Sequence, residues 1–156
     1  MPKNFLLFWL PETVEFHLSC NYLLRNVGSS QIQGVSGGDT LWIVTLSEGF
    51  ELELAGRLLV GEVVPRIVAE QRLRTTDLWH SEFHALARRG TAERMKGVSL
   101  GFDAQELRFV DGQPDRFLIH NGQINPDQLK RMRELDSRSV QLMEEIWFAA
   151  YTCQPT

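Results

Sequence analysis

The chain has 156 residues, 43% of them hydrophobic and 23% charged, which excludes a disordered or fibrous polymer and suffices for one buried core. A net charge of −4 and a pI near 5.6 exclude a protein that grips duplex DNA through a broad cationic face. Cys20 and Cys153, with no CxxC spacing and no secretory leader at Met1-Pro2-Lys3-Asn4, predict no disulfide framework and a reducing, cytoplasmic setting.

Phe5-Leu6-Leu7-Phe8-Trp9-Leu10 is continuously apolar and stopped by Pro11, the pattern of a short strand buried on both faces. It is far shorter than the roughly 20 residues a membrane helix needs, so no span is expected. Thr13 to Arg25 reads as mainly helical, and 27–39 as a loop, because Gly28-Ser29-Ser30 and Gly34-Val35-Ser36-Gly37-Gly38-Asp39 are turn chemistry.

Leu41-Trp42-Ile43-Val44-Thr45-Leu46 is the clearest strand, and Phe50-Glu51-Leu52-Glu53-Leu54 alternates apolar with acidic as a half-exposed strand does. Leu58 to Val64 resumes β-character until Pro65, with Gly56 and Gly61 as points where a meander bends. Helix-forming content spans Asp77 to Arg89 with Gly90 as a C-terminal cap. Two further strands are predicted at Leu107 to Val110 and Arg116 to Ile119, around an Asp111-Gly112 turn.

Asn125-Pro126 predicts a short helix from Pro126 to Glu134. Asp136 is expected to cap the last helix, whose Val140, Met143, Ile146, Trp147 and Ala150 share one face. The fold class that follows is α+β: a small, curved, mostly antiparallel β-barrel with flanking helices and a C-terminal helical pair. All of 1–156 reads as one domain, with the barrel core at about 1–120 and the helices at about 125–150.

Among residues with chemistry, His80 and His84 would share a helix face, the geometry of paired metal ligands. Ser81 stands where a zinc hydrolase has its glutamate, Glu82 comes one place late, and no further ligands complete a set, so neither metal nor cofactor is expected. Nucleotide-cradling glycine motifs and a G-x-S-x-G elbow are absent too. Arg66, Arg72, Arg74, Arg88, Arg89, Arg94 and Lys96 gather positive charge in the middle third, a run that reads first as a solvated face. The aromatics say more: Trp9, Trp42 and Tyr22, with Arg25 and Asn26 beside them, are the residue types that hold an unstacked base.

The order of segments resembles the EVE branch of the PUA-like superfamily. There a first strand ending in Trp precedes an R-N-Y-x-x-R-N segment, a Gly-Asp turn, an apolar strand and a G-[IV]-x-G-x-x-x-V strand. This chain offers Phe5 to Trp9, Cys20-Asn21-Tyr22-Leu23-Leu24-Arg25-Asn26, Gly38-Asp39-Thr40-Leu41-Trp42-Ile43-Val44, and Gly56-Arg57-Leu58-Leu59-Val60-Gly61-Glu62-Val63-Val64. The resemblance covers about 5–65; Cys20 replaces the motif's first arginine, 26–38 is longer than the pattern, and the half from Trp79 onward has no counterpart. It implies a non-catalytic module that binds DNA or RNA carrying a modified base, with Trp9, Asn21, Tyr22, Arg25, Asn26 and Trp42 as the pocket. Two rivals stand beside it: a protein–protein adaptor working through the C-terminal helices, and a metal-dependent hydrolase using His80, Glu82 and His84.

Overall fold

The computed structural model describes residues 1–20 and 23–152. In chain order the strands are β1 (Asn4–Phe8), β2 (Leu23–Leu24), β3 (Asn26–Gly28), β4 (Thr40–Leu46), β5 (Leu52–Pro65), β6 (Phe83–Ala87), β7 (Glu93–Arg94), β8 (Val98–Ser99), β9 (Ile119–His120), β10 (Gln123–Ile124) and β11 (Arg133–Glu134). Three α-helices accompany them: α1 (Pro11–Cys20), α2 (Arg66–Leu73) and α3 (Ser137–Thr152). Short 3-10 turns occupy Ile32–Gly34, Gly101–Glu106 and Pro126–Leu129.

The main sheet runs β11-β1-β4-β5-β6-β3, with β8 also paired to β5. It is antiparallel except for β1 against β4, which run parallel. A parallel pair needs a long crossover, and everything from Trp9 to Asp39 supplies it. The path ends on β11 and β3 and does not close, so the expected barrel is corrected to an open mixed sheet. Both outer strands are only two or three residues long, which leaves little unpaired edge.

β5 joins what the sequence divided into two strands. Its first half pairs with β4 and its second with β6, and the register shifts between Ile43 and Val44 and again between Val60 and Glu62. These shifts fall at Gly56 and Gly61, the predicted bending points. A Cβ on Gly61 would stand 3.0 Å from Arg88 Cα, so the close approach of β6 requires the missing side chain.

The pleat sorts the core into two halves. Leu6, Trp42, Val44, Leu52 and Leu54 join Met143 and Trp147 in one cluster. Phe5, Leu7, Trp9, Leu41, Ile43, Leu58 and Val60 form the other, with Leu24, Val27 and Ala85. Alternate residues of one strand point to opposite faces, and β1 and β4 are buried on both, as their continuous apolar runs predict. α3 seals the first cluster with the expected stripe, and Asp136 Oδ1 accepts the Ser139 amide at 2.8 Å, the predicted cap.

Several other expectations are overturned. Residues 77–89 are not helical: Phe83–Ala87 is β6, held between β5 and β3, because pairing on both edges outweighs the helix preference of its Ala and Leu residues. The helix predicted over Thr13 to Arg25 is α1, which starts at Pro11 and ends at Cys20, with β2 at Leu23–Leu24 before Arg25 is reached. α2 went unpredicted. The expected helix from Pro126 is a single 3-10 turn followed by β11, which β1 draws into the sheet, so the C-terminal helical pair reduces to α3. Of the two late strands, Phe109 makes an isolated bridge to Leu135 and β9 forms a separate two-stranded hairpin with β10; neither enters the main sheet. No helix among the described residues is long and apolar enough to cross a membrane.

Candidate functional site

The site lies where the end of β1, helix α1, strand β3 and the loop before β6 converge. Trp9 continues the sheet line, its amide donating to the Val44 carbonyl at 2.9 Å. Pro11 then starts α1, where the proline ring suits the first helical position, and the buried Thr13 and His17 stand four residues apart on one face. The His17 ring stacks on Trp9 with centroids 4.3 Å apart and planes 24° from parallel. Phe16 meets His17 edge-on at 5.6 Å and Trp79 at 5.4 Å. Four rings thus form one continuous wall.

Trp79 is held on that wall by Arg66, the first residue of α2. Its guanidinium donates to the carbonyls of Trp79 at 2.8 Å, Leu78 at 3.3 Å and Thr76 at 3.4 Å, while Nε bonds Glu70 Oε1 at 2.9 Å. Arg66 therefore serves as a tie for the loop rather than as part of a solvated cationic face.

Behind the wall, β3 and β6 pair with Asn26 opposite Leu86 and Gly28 opposite His84. Asn26 Nδ2 donates to His84 Nδ1 at 3.1 Å, which puts the proton of the neutral ring on Nε2. A Cβ on Gly28 would lie 2.5 Å from His84 Cε1, so the imidazole occupies the space a side chain would take. Burial, the charge of Arg66 and a weaker opposition from the Ser81 and Trp79 carbonyls and Glu70 leave the His84 pKa below its ordinary value. Burial, with His84 nearby, pushes His17 down to about 4. Both rings are neutral at pH 7.

Two hollows flank the wall. One of about 450 Å³ is lined by Trp9, Thr13, Ser29, Gln33 and Trp79 among others, within the range of about 300–1,000 Å³ usual for small-molecule sites. The other, about 260 Å³, is bounded by Phe16, His17, Arg25, Asn26, Thr75 and Asp77. Trp9 Nε1 and His17 Nε2 are buried and make no hydrogen bond among the described residues. An unpaired buried polar atom costs roughly 1–3 kcal/mol, and two within one aromatic cluster are uncommon.

The predicted pocket residues divide. Trp9 lines the larger hollow, and Arg25 and Asn26 the smaller. Asn21 and Tyr22 lie outside the described residues. Trp42 is fully buried on the opposite face, its Nε1 bonded to Asn4 Oδ1 at 3.1 Å and Arg57 over its ring at 5.7 Å. The register explains this: β1 pairs Leu6 with Trp42, and Trp9, three residues on, must face the other way.

The histidine pair is corrected too. His84 is buried in a strand while His80 is exposed in the preceding loop, so the shared helix face does not exist. No group of three His, Cys, Asp or Glu suited to a metal occurs among the described residues. Sequence reading missed Thr13, Phe16, His17 and Trp79. The spacing of Thr13 and His17 on a helix begun by Pro11 was the one available signal. Compared with protein-family models and with curated proteins, the chain matches none of either.

Proposed function

We propose that this protein is a non-catalytic nucleic-acid-binding module, of the EVE-type, PUA-like kind, that holds an unstacked and modified base against the wall of Trp9, His17, Phe16 and Trp79. The observation that carries the reading is this aromatic wall, together with the two unpaired ring nitrogens, Trp9 Nε1 and His17 Nε2, inside it. Aromatic faces hold a base by stacking at about 1–3 kcal/mol each, and fixed donors and acceptors read its edge. Asn26 belongs to this set by lining the smaller hollow beside His17 and Arg25, and its amide holds the buried His84 imidazole in one tautomer. Arg25 is exposed at the rim of the smaller hollow, where a guanidinium meets a phosphate or a base edge.

Trp79 is the residue to test, because it is half-buried and its removal opens no core cavity. Binding of oligonucleotides with single modified bases, and of the matching free nucleosides, is to be measured by calorimetry for the parent and for Trp79→Ala. The parent should prefer one modified base over its unmodified form, and the variant should lose roughly 5- to 150-fold in affinity while keeping its melting temperature within a few degrees. A parent that binds no modified base or nucleoside defeats the reading and favours the rival adaptor role.

A further inference from the structure

The positive charge that the sequence gathers in its middle third does not act as one surface. Arg66 is spent on loop carbonyls, and Arg72 pairs with Glu62. Arg25, Arg88 and Arg89 are exposed and have no ion pair among the described residues. These three, with the mutually paired Arg72 and Glu62, line one groove of about 810 Å³ that also includes Gly61, Leu86 and Ala87.

The groove is built by pairing and not by loose side chains. Arg88 N donates to the Leu59 carbonyl at 2.7 Å, and Ala87 N to the Arg25 carbonyl at 2.8 Å. A tight turn closes with Thr91 N on the Arg88 carbonyl at 3.0 Å, and Gly90 takes the positive φ of 80° that its third position requires. Backbone hydrogen bonds therefore anchor Arg88 to β5 and Arg25 to β6, and Arg89 sits in the turn that follows. Arg25 belongs to both linings, this groove and the smaller hollow that holds Phe16, His17 and Asn26.

We infer that this groove carries the phosphodiester backbone of a single strand, leading from Arg88 and Arg89 past Arg25 to the hollow where a base leaves the stack. Guanidinium forks match phosphate geometry. A carboxylate-rich peptide would meet the same charges, but the continuity with an aromatic, base-sized hollow through Arg25 favours a nucleic acid. On a chain of net charge −4, three free arginines in one groove are a local exception, which suits one strand and not a duplex-wide contact. The inference rests on reading the neighbouring hollow as a base site.

The test separates groove from hollow by using two probes on the full chain. An unmodified oligothymidylate reports the groove, and a modified nucleoside without phosphate reports the hollow. Each phosphate contact on a single strand contributes about −0.7 to the slope of log affinity against log salt, so three contacts give a slope near −2, roughly a twenty-fold weakening between about 50 and 200 mM. Arg88→Gln with Arg89→Gln, both at exposed positions, should cut the slope by about two-thirds and leave nucleoside binding at the parent's value. A double variant that keeps the parent's slope overturns the inference. So does a polyglutamate peptide that displaces the oligonucleotide at equal charge concentration, since the groove would then be an acidic-peptide surface. If the parent binds the nucleoside but no oligothymidylate even at low salt, the groove falls and the base site stands. Oligothymidylate binding with the expected slope, but no nucleoside binding, leaves the groove standing while the base site falls.

Discussion

At the scale of single residues, the two neutral imidazoles tie the site to pH. The folded-state pKa of His17 lies at about 4, below the ordinary 6.5, and that of His84 is lowered as well. Below pH 6.5 the unfolded chain takes up protons that the native rings refuse, so stability is complete above that pH and drains away as pH falls from 6.5 towards 4. For His17 the full loss is on the order of 3 kcal/mol. Urea midpoints measured at about pH 7.5 and about pH 5 should show the parent weakening on acidification, and His17→Phe, which keeps a ring against Trp9 without a titrating group, should weaken distinctly less. Equal pH dependence in the two proteins would show that His17 does not carry the effect.

Among elements, the loop from 74 to 82 depends on α2 more than on its own sequence. It carries Trp79 yet includes no regular structure, and the Arg66 fork gathers three of its carbonyls at one point. Losing charged hydrogen bonds of this kind costs roughly 1–3 kcal/mol. In Arg66→Ala, amide exchange across 75–82 should rise and base binding should fall, while exchange in the paired β4 stays slow. Arg66→Lys keeps the charge without the planar fork and should resemble the alanine variant. Slow exchange in the loop of either variant would assign the tie to other contacts.

For the whole molecule, the open sheet separates two kinds of tryptophan. Trp42 lies in the cluster sealed by α3, on the face away from Trp9. Trp42→Ala should cost about 3–5 kcal/mol of folding stability through the cavity it leaves, and the folded protein should bind bases as the parent does. Calorimetric melting and nucleoside titration check both halves. A variant that melts normally yet no longer binds would return Trp42 to the site.

Much of this was determined by the sequence alone. The apolar runs of β1 and β4 mark them as doubly buried whatever lies around them, and Asp136 with the stripe from Val140 to Trp147 specifies α3 locally. Gly56 and Gly61 mark the bends of β5, and at Gly61 the backbone of Arg88 leaves no room for a side chain. Tertiary structure decided the rest. Phe83–Ala87 is a strand because β5 and β3 claim both its edges, and 133–134 became β11 because β1 had an open edge to fill. Which tryptophan faces the site depends on the parallel register of β1 on β4, and alternation within a strand fixes which side chains share a face but not which face that is. The wall of Trp9, His17, Phe16 and Trp79 joins residues up to 70 positions apart, and contacts at that separation are set by the folded sheet, not by any local pattern of residues.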